Sequence, residues 1–427
     1  MLGLYYFVMI VLWVTGIEPI YVSPTPFYAG ADLSFSSFVT LGTVVLVCIV
    51  AAIAIRVRSG PVKRGERIGY FAAMTVTAIL TLLAMASRSL NAASYATEIP
   101  WHVLPIAVFL LGSAFIFSRR TGEFTDLRFA FAVAVWGALF AVTIAMMRGG
   151  PHGISQAYER YAYEYIGDIG AGGSIRGLFA NYTDLHPHLS MHAKVHPPGP
   201  IALLWLMSYV AGRGAMGLSL ATIAFGSLSV IPLFFWARDV IGREGARIAA
   251  VLFVLMPTIV LFTATSADIA FMPFTLTTVF LFWRAIERES IWSAIGAGIG
   301  YAIMSLLSFS LVSVGAFFGF VGLWKLRRRR LAVVQTAALM ALAAGAVHAA
   351  VYYWSGFNVV ESFQQSQAQF ALDQANVDEY MPRYPAWTFR FWNPMAWFYF
   401  AGIPVSLLFL RRLRNAEGET RWFWLIF

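Results

Sequence analysis

A chain of 427 residues, 59% of them hydrophobic and only 12% charged, carries about half the charge of an ordinary soluble domain. That balance excludes an aqueous enzyme, a disordered tail and a disulfide scaffold, and the single cysteine, Cys48, permits no intrachain disulfide. The formal charge of +9 falls in the turns between apolar runs, so it reads as an orientation signal and not as a nucleic-acid footprint.

A bilayer core of about 30 Å needs about 20 apolar residues per helix, with every backbone group satisfied within the segment. On that measure the sequence predicts an all-α, polytopic integral membrane protein. Its spans lie near 3–22, 36–55, 69–86, 102–118, 129–147, 216–236, 248–264, 269–285, 291–306, 308–324, 331–353 and 394–411. The first span lacks a basic n-region and a small-residue cleavage site, and reads as an anchor rather than a signal peptide. A last apolar run opens at Trp422 and is cut at Phe427, so the protein is expected to continue past this point.

Of the 30 Lys and Arg residues, 22 cluster in six turns: 56–67, 119–128, 238–247, 284–288, 325–330 and 411–421. Placing these six in the cytoplasm leaves the polar loops 148–198 and 354–393 outside. Residues 199–213 (GPIALLWLMSYVAGR) test the scheme. If they crossed, the basic clusters from 238–247 onward would fall on the opposite side from those at 56–67 and 119–128. An interfacial or re-entrant helix on the outer face keeps them together.

Loop 148–198 holds five of the seven histidines and the carboxylates Glu159, Glu164, Asp168 and Asp184, interleaved with aromatic residues that include Tyr158 and Tyr165. A long loop of this composition is functional rather than disordered. The stretch 154–169 is compatible with a helix, which would set Glu164 and Asp168 four residues apart on one face. Paired carboxylates there suit general-base work on a hydroxyl, or a divalent cation beside a phosphate. Glu159, next to Arg160, could equally be a surface charge. His188, His192 and His196 recur every fourth residue and on a helix would share a face. The HExxH arrangement is absent, however, and Pro197–Pro198 end any helix, so no metal site is assigned. One or two of these histidines read instead as substrate or phosphate contacts and the rest as interfacial, with Pro197, Pro198 and Gly199 forming a rigid elbow behind His196. Asp268, in TSADIAFMPF at the outer end of a span, suits either a functional acid or the N-cap of the next helix. The second outer loop ends in MPRYPAWTFRFWNP, where Arg383 and Arg390 among aromatic residues could hold a lipid phosphate or belong to an interfacial belt.

Three stretches resemble the GT-C glycosyltransferases, in particular the protein O-mannosyltransferase and lipid A aminoarabinose transferase branch. YERYAYEYIGD is similar to the acidic catalytic loop, HPPGP at 196–200 to the proline elbow before a juxtamembrane helix, and WARDVIGREGARIAAVLFVLMPTIVLFTATSAD to the basic turn, span and surface Asp that follow. The similarity runs over about 129–411. It implies a 128–427 transmembrane catalytic region behind a 1–127 four-helix extension. The adjacent acidic pair of the family is absent, and SLLSFSL with Ser308 stands where the family often carries a Lys.

The resemblance implies a sugar transfer from a polyprenyl-phosphate donor to an acceptor hydroxyl of a glycan, lipid or protein, with inversion, on the outer side of a bacterial or archaeal plasma membrane. Glu164 or Asp168 would then be the base, with Glu159 a further candidate, and Asp268 would orient acceptor or sugar. His196, Lys194, Arg383, Arg390, His192 and Tyr165 would contact donor or phosphate. No cofactor is fixed beyond a possible divalent cation. A transporter or flippase for a lipid-linked or anionic substrate is the alternative. It would place ionisable or broken helices at the midplane in repeated halves, whereas here the ionisable groups gather in outer loops.

Overall fold

The computed structural model describes residues 124–146 and 150–380, with Ala401, Ser406 and Phe409. The 1–127 extension up to residue 123, Cys48, Arg383, Arg390 and most of the 394–411 span lie outside the described residues. The described chain is all-α and polytopic in character, with no strand.

Helix α1 (Asp126–Met146) opens the bundle. Loop 150–198 follows, with one-turn helices α2 (His152–Ser155), α3 (Ile175–Ala180), α4 (Tyr182–Leu185) and α5 (Met191–Lys194). The 13-residue α6 (Gly199–Ala211) then leads into α7 (Ala215–Ser227), α8 (Val230–Leu255) and α9 (Pro257–Thr265). The rest are α10 (Met272–Glu287), α11 (Ile291–Leu307), α12 (Val314–Leu326), α13 (Arg330–Ser355) and α14 (Val359–Tyr380).

Five segments are long and apolar enough to cross a bilayer: Asp126–Met146, Ala215–Leu255, Ala267–Glu287, Phe309–Leu326 and Arg330–Ser355. The second, 41 residues long, would measure about 60 Å as one straight helix, twice the hydrocarbon thickness. It does not run straight: Gly242 takes φ 78° and ψ 173° inside α8. A left-handed φ is open to glycine and costly for residues with a Cβ. The turn expected between 236 and 248 is therefore a break in a helix, not a loop, and it puts Arg238, Arg243 and Arg247 at one level.

These arginines join one end of the bundle to itself. Arg238 and Arg243 bind Asp126 at 2.8 and 2.7 Å, and Arg247 donates to the Phe124 carbonyl at 3.0 Å. Arg288 binds Asp239 at 2.9 Å, while Lys325 and Arg329 both pair with Glu287. Four of the six basic turns thus meet at one end, as the charge pattern requires. Between visits to that end the chain passes through Met146, Asp268, Leu307 and Ser355, which mark the other end. Parallel helices α11 and α13 approach closely because Gly298 lacks a Cβ; one built there would lie 2.5 Å from the Met340 carbonyl oxygen.

Helix α6 measures about 20 Å, too short to cross. It follows the Pro197–Pro198 elbow and is seated on α11: a Cβ on Gly199 would stand 2.0 Å from the Leu306 carbonyl oxygen. Two expectations need correction. The described part of the 354–393 region, up to Tyr380, is not a loop, because α13 ends at left-handed Gly356 and α14 starts at once. Asn358 caps it, its Oδ1 accepting from the Val360 and Glu361 amides at 3.0 and 3.3 Å, and the Ala, Gln and Glu that follow are good helix formers. Second, 154–169 is not a helix, for reasons that belong to the site.

Candidate active site at the end opposite the basic turns

The loop between α1 and α6 is packed, not draped. Tyr158, Tyr165, Leu178, Phe179, Tyr182, Leu189 and Ala193 share a core with Ile201, Leu204 and Trp205 of α6, with Phe271, and with Leu306 and Leu307 of α11. Three phenols pin the loop in place. Tyr158 donates to Thr222 of α7 at 2.6 Å. Tyr182 lies 2.7 Å from the Ala193 carbonyl and 2.6 Å from that of His196. Tyr165, 1% exposed, reaches Asp268 Oδ1 at 3.4 Å.

Those anchors dictate the local backbone. Tyr158 and Tyr165 must reach different walls, and the chain between them doubles back: a Cβ on Gly167 would sit 2.2 Å from the Tyr161 carbonyl oxygen. Glu164 is extended (φ −104°, ψ 148°), and Tyr165–Asp168 form a single 3₁₀ turn. The predicted helix over 154–169 is therefore absent beyond Ser155, and Glu164 and Asp168 do not share a helical face. Tertiary anchoring has overridden local propensity. The histidine series fails as a helical face for a related reason. His188 ends a 3₁₀ turn, His192 lies on α5, and His196 lies beyond it before the elbow.

Asp168 is buried, and its two oxygens accept the Ser190 amide at 3.0 and 3.1 Å. It therefore ties the 3₁₀ turn to the start of α5. Burial raises its pKa, and the Ser190 amide and the Lys194 charge oppose that rise. Glu159 turns away, accepting from Ser155 Oγ at 2.6 Å and lying 3.4 Å from His152 Nδ1. Neither approaches Asp268 through a contact seen here.

Glu164 does face the site. Its Oε2 lies 3.3 Å from His192 Nδ1, and this bond is the main cause raising the His192 pKa above its ordinary value. The Tyr165 ring stands 6.0 Å from the His192 ring and 5.6 Å from that of His196. Burial pushes the Tyr165 phenol well up, and the charges of Asp268 and Glu164 add to it, so this hydroxyl keeps its proton and donates it. His196 moves the other way, its pKa lowered by burial against the pull of Asp268. Neutral His196 places Nδ1 2.9 Å from the His192 carbonyl, where it donates and leaves Nε2 free to accept.

Asp268 is exposed and does not cap the next helix. Ser266 takes that part for the following 3₁₀ turn, accepting from the Asp268 amide at 3.2 Å. Lys194 is half-buried near Asp168. The structure therefore gathers Glu164, Tyr165, His192, His196 and Asp268, and leaves Glu159 and Asp168 outside that group. Among the described residues, no three or more His, Cys, Asp or Glu are grouped to hold a metal ion. Sequence reasoning missed Tyr182 and Ser190, which hold the histidine segment. The clustering of tyrosines in the loop was the available signal for the first, and nothing marked the second.

Residues 195–354 match the family model described as dolichyl-phosphate-mannose-protein mannosyltransferase. The match covers less than half of the chain, and over it the chain is similar to a family of membrane glycosyltransferases. No curated protein and no solved structure matches it. The matched stretch begins at Val195, just ahead of His196 and the elbow, and ends at Trp354, so it takes in Asp268 and helices α6 to α12 with nearly all of α13. Glu164 and His192 lie ahead of it and join it only in space.

Proposed function

We propose that this protein is a glycosyltransferase that moves a sugar from a polyprenyl-phosphate carrier to an acceptor hydroxyl on the extracytoplasmic side, with inversion at the anomeric carbon. The observation that carries the reading is the Tyr165–Asp268 contact, which brings loop residues Glu164 and His192 to a bundle carboxylate at the end away from the basic turns. Basic turns collect in the cytoplasm, so that end faces out. The family matched over 195–354 is described by a lipid-phosphate mannose donor, which favours the same donor class here.

In this reading Glu164 takes the proton of the acceptor hydroxyl as the acceptor oxygen bonds to the anomeric carbon and the bond to the lipid phosphate breaks. The departing phosphate carries the electron pair, and His192, beside Glu164, offsets its charge with Lys194 two residues on in α5. Asp268, held by the Tyr165 phenol, orients sugar or acceptor. Asp168 is a positioning residue, since it fixes the segment that bears His192. The test uses full-length protein in liposomes with a polyprenyl-phosphate radiolabelled mannose, scoring label released to acceptor or to water. Glu164→Gln should lower release about 10²–10⁴-fold while the protein still retains the carrier lipid. Undiminished release would overturn the assignment of the base, and no release by the wild-type protein would overturn the donor class.

A further inference from the structure

Helix α14 is inside out. Between residues 360 and 373 every position that is not exposed is polar: Ser362, Gln365, Ser366, Gln369 and Asp373. The exposed positions include Val360, Phe363, Phe370 and Leu372. A helix that served only to cover the bundle would turn the other way, with its apolar stripe toward the core. Spacings of three and four residues set the polar positions on one face. The helix packs against α4 and α5, which bear Tyr182 and His192. Phe357, just ahead of α14, lies 6.0 Å from Tyr182 between ring centroids and fixes the approach.

The buried hydroxyls of that face have nothing to bond. Ser362 is 0% exposed and Ser366 1%, yet neither Oγ has a hydrogen-bond partner, and nor has Gln365 Oε1. Ser190 Oγ, buried at the start of α5, is in the same condition and does not cap that helix. Other hydroxyls in the bundle meet this need within their own helix. Thr143, Ser227, Thr263, Thr278 and Ser355 each donate to the carbonyl four residues back. Ser362 and Ser366 make no such bond, which leaves their hydroxyls for a partner outside the helix. Buried polar atoms without partners are rare in native proteins, and four on two packed elements mark a place for a hydrogen-bonding ligand.

The chemistry of the face selects that ligand. Hydroxyl and carboxamide groups both donate and accept. An anion would meet the lone pairs of Gln365 Oε1, and a cation would find one carboxylate, Asp373, already accepting from Gln369 Nε2 at 2.8 Å. The apolar side chains of a peptide would find no apolar residue on this face. A neutral molecule dense in hydroxyls matches it, bond for bond. Its place is also apt, since Ser190 stands two residues ahead of His192, whose imidazole meets Glu164. We propose that the polar face of α14, with Ser190, binds a neutral saccharide, and that this saccharide carries the acceptor hydroxyl. This rests on the transfer reading above and names the acceptor class.

Full-length protein in phosphatidylcholine nanodiscs is titrated with mannotriose, maltotriose and chitotriose, and binding is read by saturation-transfer NMR. At least one should bind, and Ser362→Ala with Ser366→Ala in one chain should weaken it about tenfold or more, as two lost hydrogen bonds would. Gln367→Ala, on the exposed face, should bind as wild type does. Without sugar, the double variant should unfold at or above the wild-type temperature, because two unmet hydroxyls are gone. A double variant that does not fold would mean that these hydroxyls serve the protein itself, and overturns the proposal. The trisaccharide that binds should also take label from polyprenyl-phosphate radiolabelled mannose in wild type. Several results overturn the proposal and leave the donor reading standing: equal binding by wild type and double variant, equal weakening by Gln367→Ala, binding of a neutral seryl peptide alone, or label passing to water and never to the bound sugar. Release of no label by the wild-type protein overturns the donor reading instead, whatever the trisaccharides do.

Discussion

Glu164 and Asp268 are carboxylates at the same end of the bundle, yet their neighbours give them different work. Glu164 faces an imidazole whose charge it favours, while exposed Asp268 takes a phenol that keeps its proton. Glu164→Gln and Asp268→Asn should each depress transfer without releasing the loop, because Tyr158 and Tyr182 still hold it. The Glu164–His192 pair also sets a pH dependence. The folded His192 pKa is raised above its unfolded value, so the pair's contribution to stability is complete below about pH 6.5. It disappears as pH rises through the folded pKa. Thermal unfolding followed from pH 5.5 to 9 should show wild type losing stability relative to Glu164→Gln on the alkaline side; parallel curves would remove the pair from the account. At this scale the sequence singled out the loop and the residue types that the structure brings to Asp268. It could not rank them: Glu164 and Asp168 are four residues apart and chemically alike, and only the Ser190 amide separates a buried tether from a carboxylate at the site.

Single elements carry the precision of the site. Asp168 binds the amide that starts α5, and an Asn there can still accept that hydrogen bond through its carbonyl oxygen. Asp168→Asn should therefore be mild, whereas Asp168→Ala leaves a buried amide unpaired and costs about 1–3 kcal/mol, read by chemical denaturation in detergent. Equal effects would mean the carboxylate does more than cap. The elbow is tighter still. Gly199→Ala forces a Cβ against the Leu306 carbonyl and should destabilise by about 1–3 kcal/mol or more, with transfer lost as His196 shifts. The elbow and the short helix behind it were legible from Pro197–Pro198 and from length. The shape of 154–169 was not, because its apolar spacing fits a helix while its tyrosines answer to walls far away in sequence: Thr222 for Tyr158 and Asp268 for Tyr165. For α14 the reverse held, since a polar composition read as loop hid a capped helix.

At the scale of the whole molecule, the described bundle is polarised. Asp126, Asp239 and Glu287 tie the basic turns together at one end, and acids, histidines and phenols meet at the other. This polarity follows from charge placement in the sequence and needed no structure to be read. What the sequence could not give was the meeting of loop 150–198 with Asp268, a contact spanning 103 residues. The most direct test reconstitutes the protein into vesicles in a single known orientation, fixed by labelling one cysteine introduced at Arg327 in a Cys48→Ala background. Polyprenyl-phosphate mannose is supplied in both leaflets and a membrane-impermeant acceptor outside only. Transfer should appear when the Arg327 end is enclosed and the Asp268 end meets the acceptor, and should vanish in Asp268→Asn. Transfer from vesicles presenting the Arg327 end outward, or undiminished in Asp268→Asn, would contradict the account.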